Sequence, residues 1–310
     1  MKTFTLPGTD LTVPAIVTGV MRIQEKSDAE VRALFDASLE AGINFFDHAD
    51  IYGTGVHGCE ARFNEALKLT PSQRSEIVLQ TKAGIVKDGP YFDFSYSHLI
   101  EAVDGSLAAL NTDYIDILLL HRPDALVEPE EVARALDELS AAGKVKHFGV
   151  SNHTPGQIEL LKKFVKQPLV ANQVQLSLTH APLITQGMAM NMETLDQSID
   201  RGIGTLDYCR LHDITLQAWS PFQAKFFNGP FLGSLEYAEL NQVIDRLAAA
   251  YGVPAEAIAT AWILRHPARW QVVTGTTTPA RVTAAAKGAD IELTKPEWYE
   301  LYRAAGHIVP

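Results

Sequence analysis

Cysteine is scarce in this sequence. Cys59 and Cys209 are its only two cysteines, and they form neither a CxxC pair nor a spacing typical of metal ligands. Few cysteines are typical of proteins from a reducing compartment, because small secreted chains depend on disulfides for stability. We therefore expect a cytoplasmic protein without a metal site.

Basic residues and long apolar runs are also few. The 310 residues include 26 Lys and Arg against 37 Asp and Glu, which gives a formal net charge of −11. This balance opposes attraction to phosphate backbones, so nucleic acid is not expected as a partner. No segment approaches the roughly 20 apolar residues that cross a bilayer, and the N-terminus lacks the apolar core of a signal peptide. Neither membrane insertion nor export is expected.

The chain also lacks the glycine-rich fingerprint of an open dinucleotide-binding sheet. After the first apolar run, Val17-Thr18-Gly19-Val20 supplies one glycine where GxGxxG needs three. What is present is a repeat of short apolar runs and stretches with helical spacing, exemplified by Val31, Leu34, Phe35, Ser38 and Leu39. This alternation predicts parallel strands connected by helices.

Eight apolar runs are predicted strands. A sheet buried on both faces needs nearly continuous apolar strands, and eight strand–helix units close naturally into a parallel (β/α)8 TIM barrel. Because 46% of the residues are hydrophobic and no linker interrupts the pattern, residues 1–310 are expected to form one domain. The runs are AIVTG (15–19), INFFD (43–47), EIVLQTK (76–82), YIDILLLH (114–121), KHFGVSN (146–152), LVANQVQ (169–175), ITLQAWS (214–220) and WQVVTG (270–275).

Additional segments flank the barrel pattern. Residues 2–6 and 11–13 surround a Pro-Gly-Thr-Asp turn, which predicts an N-terminal β-hairpin that acts as a lid. Segment 222–237 contains glycines and several aromatic residues, and we interpret it as a mobile flap over a pocket or as an irregular surface loop. Residues 279–307 are predicted to form two extra C-terminal helices, the second starting at Thr294 with Pro296 in its first turn.

Polar side chains lie at or just after the ends of three neighbouring predicted strands. Asp47 ends the second run, Tyr52 follows it, Lys82 ends the third and His121 ends the fourth. In a parallel barrel these ends meet at the face that carries active sites. The Lys82 ammonium would lower the pKa of Tyr52, Asp47 would keep Lys82 charged, and His121 would donate a hydrogen bond to a carbonyl oxygen. The four residues predict a carbonyl-reducing site with Tyr52 as proton donor.

Each of these residues also has an ordinary structural interpretation. Asp47 fits a turn cap, Lys82 a snorkelling side chain, Tyr52 an interface aromatic and His121 a core histidine. For each residue taken singly, the structural interpretation is favoured over the functional one. Together at adjacent strand ends, the functional interpretation is favoured, because charges at the end of a buried strand need partners.

Two other catalytic classes fit the sequence less well. A metal-dependent barrel hydrolase would use His48, Asp50, His57 and His121, but the first strand does not end in HxH. A short-chain dehydrogenase would need Tyr-x-x-x-Lys on a helix, and the sequence contains no such motif.

The motifs in which these polar residues stand have a family resemblance. FFDHADIYG, LQTKAG and LLLHRPD, followed in order by GKVKHFGVSNH, ANQVQLS, LQAWSPF, YGVPAEAIATAWILRHP and TGTTTPARV, resemble the aldo-keto reductases over essentially the whole chain. The resemblance implies that Asp47, Tyr52, Lys82 and His121 form the catalytic tetrad. It also implies a (β/α)8 barrel that reduces a small carbonyl substrate with NADPH, or alternatively NADH. We expect a monomer or a weak homo-oligomer.

The resemblance also implies a cofactor site. Ser151, Asn152 and Gln173 would bind the nicotinamide carboxamide, Trp219 would stack on the ring, and Ser220 with its loop would hold the pyrophosphate. The adenosine phosphate would lie against 275–278 and Arg281, among which the named contacts are Gly275, Thr276, Thr277 and Arg281.

The adenosine end favours NADPH, because a guanidinium suits a 2′-phosphate and Arg281 is the only fixed cation expected there. Many members of the family have a lysine at the position of Gly275 and an asparagine at that of Ala285, so the preference over NADH rests on Arg281. The segment TGTTTPARV also fits a strand and a capped helix that bind nothing.

The substrate pocket and the biological role remain open at this point. Met21, His48, Tyr52, Arg122, Phe226 and Phe227 are candidates to line an apolar pocket for aldehydes, ketones or dicarbonyls. The alternative function is an NADP(H)-binding redox-sensing or regulatory subunit with little turnover.

Overall fold

The computed structural model describes residues 1–192, 194–224 and 229–310. Phe226 and Phe227, which the sequence suggested as pocket residues, lie outside this part of the chain. The described residues form the strands β1 Thr3–Thr5, β2 Thr12–Pro14, β3 Ile16–Gly19, β4 Phe45–Asp47, β5 Val78–Ala83, β6 Ile85–Val86, β7 Tyr91–Phe92, β8 Ile115–Leu120, β9 Val145–Ser151, β10 Leu169–Gln175, β11 Thr215–Trp219 and β12 Trp270–Thr274.

Eight of these strands close into a parallel barrel. The order is β3-β4-β5-β8-β9-β10-β11-β12, and β12 pairs with β3 to complete the ring. Each barrel strand overlaps one of the eight apolar runs, so the predicted TIM barrel is confirmed. The register pairs Gly19 with Asp47, the last residues of β3 and β4, and pairs Asp47 with Gln80, so β5 continues three residues further to Ala83.

Helices cover the outside of the barrel. Within the described ranges they are α1 Asp28–Glu40, α2 Gly58–Leu67, α3 Pro71–Ser75, α4 Tyr96–Leu110, α5 Pro129–Ala141, α6 Pro155–Lys162, α7 Pro182–Met188, α8 Thr205–Leu211, α9 Ala238–Tyr251, α10 Ala255–Arg265, α11 Pro279–Ala286 and α12 Lys295–Ala304. Short 3-10 turns occupy Asp196–Ser198, Leu235–Tyr237 and Lys287–Asp290.

Helix α1 shows how local sequence and packing agree. Ser27 and Glu30 form a reciprocal capping box at its start, which satisfies backbone N–H groups that would otherwise lack partners. Val31 and Leu34 are buried against the barrel, as the helical spacing predicts. The same spacing placed Leu39 on the buried face, which is wrong, because Leu39 lies in the last turn and is 39% exposed.

The N-terminal hairpin is confirmed, and it closes the end of the barrel opposite the strand carboxyl ends. Strands β1 and β2 pair antiparallel. Leu6 and Val13 are fully buried with Phe45 and Val170, which start or nearly start their strands. Gln271 Nε2 in β12 donates to the Pro14 carbonyl at 2.8 Å. The hairpin that was predicted to be a lid therefore covers the end of the barrel where the strands begin, because its apolar face has to cover the apolar interior of the barrel.

The C-terminal part of the chain follows its sequence signals. Helices α11 and α12 confirm the two predicted extra helices, and Thr294 forms a capping box with Glu297 at the start of α12. Trp298 of α12 stacks on Trp262 of α10 with ring centroids 5.0 Å apart.

No single helix within the described ranges is long and apolar enough to cross a membrane. Residues Leu235–Tyr251 and Ala255–Arg265, bent by 94° at their junction, meet the length and composition criteria only when taken together.

Close strand packing makes Gly149 in β9 sensitive to substitution. A Cβ atom there would lie 2.7 Å from Leu119 Cδ2 of β8 and 2.8 Å from the Ala171 carbonyl oxygen of β10. We predict that Gly149→Ala destabilises the fold by about 1–3 kcal/mol, as overpacking does, and lowers Tm in a thermal denaturation experiment. Gly156→Ala in α6, where nothing lies within 4 Å, is the matched control and should leave Tm equal or higher. Equal Tm values for Gly149→Ala and the wild type would contradict the packing argument.

Candidate active site

The four predicted catalytic residues converge at the carboxyl end of the barrel. Asp47 ends β4, Lys82 lies one residue before the end of β5, and His121 directly follows β8. Tyr52 is carried by the loop between β4 and α2. The loop is held on the barrel because the Asp50 N–H donates to the Lys82 carbonyl at 3.1 Å.

Lys82 is the centre of this group. Its Nζ atom donates to Asp47 Oδ2 at 2.7 Å, to the His48 carbonyl at 2.7 Å and to the Tyr52 hydroxyl at 3.2 Å. The lysine side chain has no solvent exposure and that of Asp47 is 4% exposed. All three ammonium protons therefore have partners, which a buried cation requires.

The surroundings set the charge state of the lysine. Burial favours the neutral amine, but the Asp47 carboxylate and then Tyr52 outweigh it, so the pKa of Lys82 is raised. Lys82 is therefore an ammonium ion throughout the neutral pH range.

The pKa of Tyr52 differs from the sequence-based expectation. Burial raises the pKa of the phenol, and although Lys82 acts in the opposite direction, the pKa stays above its ordinary value. The predicted lowering of the Tyr52 pKa is wrong, because the loss of water around a buried phenolate has a larger effect on this pKa than one neighbouring cation. The consequence is a phenol that holds its proton at neutral pH.

His121 lies beside Tyr52 with ring centroids 5.8 Å apart and an angle of 82° between the rings. Burial, followed by Lys82 and Arg122, lowers the pKa of His121 well below its ordinary value, so the ring is neutral. Its Nδ1 atom is buried and has no hydrogen-bond partner among the residues that the structure describes.

These side chains border a cavity of about 650 Å³. Asp47, Tyr52 and His121 line it, whereas Lys82 lies behind Tyr52 and is not part of the wall. Every residue predicted to contact the cofactor also lines this cavity: Ser151, Asn152, Gln173, Trp219, Ser220, Gly275, Thr276, Thr277 and Arg281. The volume lies within the range of about 300–1,000 Å³ that small-molecule sites have.

The wall around Trp219 is held by hydrogen bonds. Trp219 Nε1 donates to Asn152 Oδ1 at 3.1 Å, and Asn152 Nδ2 donates to Ser151 Oγ at 2.8 Å. Gln173 Nε2 donates to Asp47 Oδ1 at 3.1 Å. Asn152 and Ser220 have positive φ values of 60° and 53°. Their backbone conformations are uncommon for residues other than glycine and are typical of binding loops.

The far end of the cavity contains a second cation that the sequence did not indicate. Arg22, in the loop after β3, donates from Nη1 to the Gly275 carbonyl at 2.6 Å. A Cβ atom on Gly275 would lie 3.0 Å from the same nitrogen. The expectation that Arg281 is the only fixed cation at this end is therefore wrong. The glycine leaves the space that Arg22 occupies, and no local pattern in the sequence relates residues so far apart in the chain.

Among the candidate substrate residues, Met21, Tyr52 and Arg122 line the cavity. His48 does not. It is fully buried on the helix side of the barrel wall, where its ring lies 4.8 Å from that of Phe63. Burial lowers the pKa of His48 to about 4. Its prediction as a pocket residue is wrong, because the side chain following Asp47 points to the opposite face of the strand.

A layer of glutamines beneath the cavity was missed by the sequence analysis. Gln80 Nε2 donates to Asp47 Oδ1 at 2.6 Å and to Gln217 Oε1 at 2.9 Å, and Gln217 Nε2 donates to Gln271 Oε1 at 3.0 Å. The available signal was a polar residue inside each of several apolar strands, since an inward-facing amide has to find partners.

Behind the Tyr52 loop lies a second buried polar cluster. Glu60 has a fully buried side chain, to which His57 Nδ1 lies at 2.6 Å and Thr81 Oγ1 donates at 2.5 Å. Burial opposes ionisation of Glu60, but the His57 contact and the other partners outweigh it, so the pKa of Glu60 is lowered. No group of three His, Cys, Asp or Glu side chains placed to hold a metal ion occurs within the described ranges.

Asp50 is the unusual member of this region. It is 2% exposed, and one carboxyl oxygen has no hydrogen-bond partner in the described part of the chain. Burial, followed by the nearby charge of Glu60, raises the pKa of Asp50 to about 7. The folded protein therefore binds this proton more tightly than the unfolded chain does.

The raised pKa of Asp50 predicts a pH-dependent stability. The contribution of Asp50 to the stability should fall as the pH rises from about 4, the pKa of an unperturbed Asp, to about 7, because ionisation of Asp50 favours unfolding. Asn cannot ionise, so Asp50→Asn should raise Tm relative to the wild type at pH ~8 and by much less at pH ~4.5. Asp88→Asn, at an exposed position, is the control for loss of one charge. A Tm difference that is the same at both pH values would contradict the prediction.

Comparison with known proteins agrees with this architecture. Residues 15–305 match the aldo/keto reductase family. The chain is 34% identical over 314 residues to the uncharacterized oxidoreductase YcsN of Bacillus subtilis, an alignment that covers 97% of each protein. It is also 34% identical over 307 residues to a 6-dehydroglucose reductase of Agrobacterium fabrum, with 95% of each chain covered.

A solved structure shows the same fold. The crystal structure of a thermostable aldo-keto reductase superimposes with a TM-score of 0.77 over 98% of this chain and 100% of the other, at 22% sequence identity. The family match spans the barrel from its first strand to the last helix, and the chain therefore belongs to the aldo/keto reductase family of oxidoreductases.

Proposed function

We propose that this protein reduces aldehydes or ketones to alcohols with NADPH and that Tyr52 donates the proton. The observation that carries the proposal is the contact of the Tyr52 hydroxyl with the buried Lys82 ammonium at 3.2 Å, at the wall of a cavity that His121 shares. When bound, the nicotinamide supplies the hydride.

The residues around Tyr52 divide the proton chemistry between them. Tyr52 keeps its proton at neutral pH because burial raises its pKa. When a carbonyl oxygen gains negative charge, the phenol transfers this proton to it, and Lys82 stabilises the phenolate that remains. Asp47 keeps Lys82 charged and oriented. The neutral His121 ring donates a hydrogen bond to the same oxygen and orients it toward Tyr52.

The lining of the cavity fits a phosphorylated dinucleotide. Ser151, Asn152 and Gln173 have the amide and hydroxyl groups that match a carboxamide, and Trp219 offers an aromatic face beside them. Ser220 and the threonines at 276–278 would contact the phosphates and ribose.

The cations at the far end support NADPH as the cofactor. Arg22 and Arg281 both line that end of the cavity, and neither forms an ion pair with another described residue. Guanidinium groups are well suited to a 2′-phosphate, which NADPH has and NADH lacks.

Substitution of Tyr52 tests the proton donor. Tyr52→Phe removes the hydroxyl and keeps the ring, so we expect turnover to fall by about 10²–10⁴-fold, the usual contribution of a general acid, while the Kd for NADPH changes little. The assay is the loss of NADPH absorbance with aromatic aldehydes, ketones, dicarbonyls and a sugar aldehyde. Tyr91→Phe, which changes an exposed tyrosine, is the matched control.

The outcomes separate the proposal from its alternative. Turnover by Tyr52→Phe close to that of the wild type would overturn the role of Tyr52. Tight NADPH binding by the wild type with negligible turnover of every substrate would favour a redox-sensing or regulatory subunit instead of an enzyme.

Substitution of Arg281 tests the cofactor preference. We expect Arg281→Ala to weaken NADPH binding by about 10- to 100-fold, the equivalent of a lost hydrogen bond to a charged group, and to leave NADH binding nearly unchanged. Titration of protein fluorescence with each cofactor gives both Kd values. Arg269→Ala, just before β12 at the opposite end of the barrel, is the control. An equal loss for NADPH and NADH would contradict recognition of the 2′-phosphate by Arg281.

A further inference from the structure

A second cavity of about 250 Å³ adjoins the catalytic one. It lies beyond the carboxyl ends of β9 and β10 and reaches Arg201, Gly202 and Thr205, at the start of α8. We call it the side cavity. Arg122, Asn152 and Trp219 line both cavities, so a ligand in one can extend into the other.

The lining of the side cavity is positively charged, although the protein as a whole is acidic. Arg122, Arg201, His153 and His180 line it, and its described lining includes no Asp or Glu. Burial lowers the pKa of His153 to about 4 and also lowers that of His180, so the two histidines are neutral near pH 7. The positive charge therefore comes from the two guanidinium groups.

Arg122 is a cation without a counter-ion among the residues that the structure describes. It is half-buried, its guanidinium carbon lies 5.8 Å from the centre of the Trp219 ring, and it makes no hydrogen bond or ion pair with any other residue in the described ranges. Burial lowers its pKa, which shows that loss of water disfavours this charge where it stands. An anion placed beside it would recover that free energy.

Arg201 provides a second positive group in the lining of the side cavity. Its two terminal nitrogens contact the Asp196 carbonyl at 2.9 Å and Asp196 Oδ1 at 2.8 Å, which fixes the position of the guanidinium. The Asp196 side chain is 82% exposed, so this ion pair is largely solvated and contributes little by itself. Arg201 therefore remains able to attract a further anion. The N-terminus of α6, beginning after Thr154 on the cavity wall, adds a partial positive charge.

The guanidinium of Arg122 lies at the wall of the cavity in which Tyr52 and His121 would hold the substrate carbonyl. Arg122 follows His121 directly in the chain, and consecutive Cα atoms are about 3.8 Å apart. Because the side chains of Tyr52, His121 and Arg122 line the same cavity, a carbonyl held by Tyr52 and His121 would have its substituent within the cavity that Arg122 borders.

We propose that the side cavity, with Arg122 at its junction with the catalytic cavity, binds an anionic substituent of the carbonyl substrate, such as a carboxylate. The substrate class is then an aldehyde or ketone with a negatively charged group at short distance from the carbonyl. This inference rests on the proposed reductase function, and it adds the recognition of charge.

The kinetic test compares each charged aldehyde with its neutral ester. The pairs are para-carboxybenzaldehyde and succinic semialdehyde with their methyl esters, at low ionic strength. We expect the carboxylates to have kcat/KM values at least about ten-fold higher, mainly through KM, which corresponds to one charge-assisted hydrogen bond. Added salt should reduce this ratio. Wild-type ratios near one would overturn the proposal.

Arginine substitutions locate the effect. Arg201→Gln and Arg122→Met should each reduce the carboxylate-to-ester ratio by about ten-fold. Arg210→Gln is the matched control, because Arg210 lies on α8 with similar exposure to Arg201 but outside the side cavity. A ratio that survives both substitutions would overturn the proposal. So would an equal preference for para-hydroxymethylbenzaldehyde, since this would indicate recognition of hydroxyl groups.

A binding measurement separates this inference from the reductase function. Terephthalate has two carboxylates and no aldehyde, and its binding is followed by the fluorescence of the tryptophans, among which Trp219 lines both cavities. Saturable binding that weakens about ten-fold or more in Arg201→Gln would support the anion site even if no aldehyde is turned over, which would count against the reductase function alone. Reduction of neutral aldehydes without terephthalate binding would retain the reductase function and overturn the anion site.

Discussion

The buried ion pair between Lys82 and Asp47 is the interaction on which the site depends. Two charges lose nearly all their water there, and a contact of 2.7 Å compensates only because the remaining donors and acceptors are also satisfied. Gln80 and Gln173 donate to Asp47, and the His48 carbonyl accepts from Lys82. Removal of one partner from such a pair typically costs about 3–5 kcal/mol, because an unpaired buried charge remains.

The barrel satisfies this requirement by a change of polarity along its axis. At the amino ends of the strands the interior is apolar and covered by the β1–β2 hairpin. Above it lies the glutamine layer of Gln80, Gln217 and Gln271, whose amides bond across strands that are distant in sequence. The Asp47–Lys82 pair comes next, and the cavity lies above it. Gln80 donates to the Asp47 carboxylate from below, and Gln271 at the other end of the glutamine layer donates to the Pro14 carbonyl, so the charged centre does not require water from below.

The low dielectric environment of the barrel interior explains the charge states of Tyr52, His121 and Lys82. Burial raises the pKa of Tyr52 and lowers that of His121, so both face the cavity as neutral groups with protons to donate. Lys82 remains charged behind them because Asp47 is in direct contact. A neutral acid beside a fixed cation is the arrangement in which proton transfer to a developing oxyanion is favoured. The guanidinium of Arg122 also borders the cavity but is only half-buried, and it has no counter-ion among the described residues.

Much of this protein follows from its sequence. Strand–helix periodicity, the absence of GxGxxG and the polar residues at strand ends were sufficient for the eight-stranded barrel and for the grouping of Asp47, Tyr52, Lys82 and His121, because parallel topology brings carboxyl ends together. Tertiary structure alone determined the direction of the Tyr52 pKa shift, the outward orientation of His48, the place of Arg22 beside Gly275 and the lack of a counter-ion for Arg122 within the described part of the chain. These properties depend on burial and on contacts between residues far apart in the chain, and local periodicity contains no information about either.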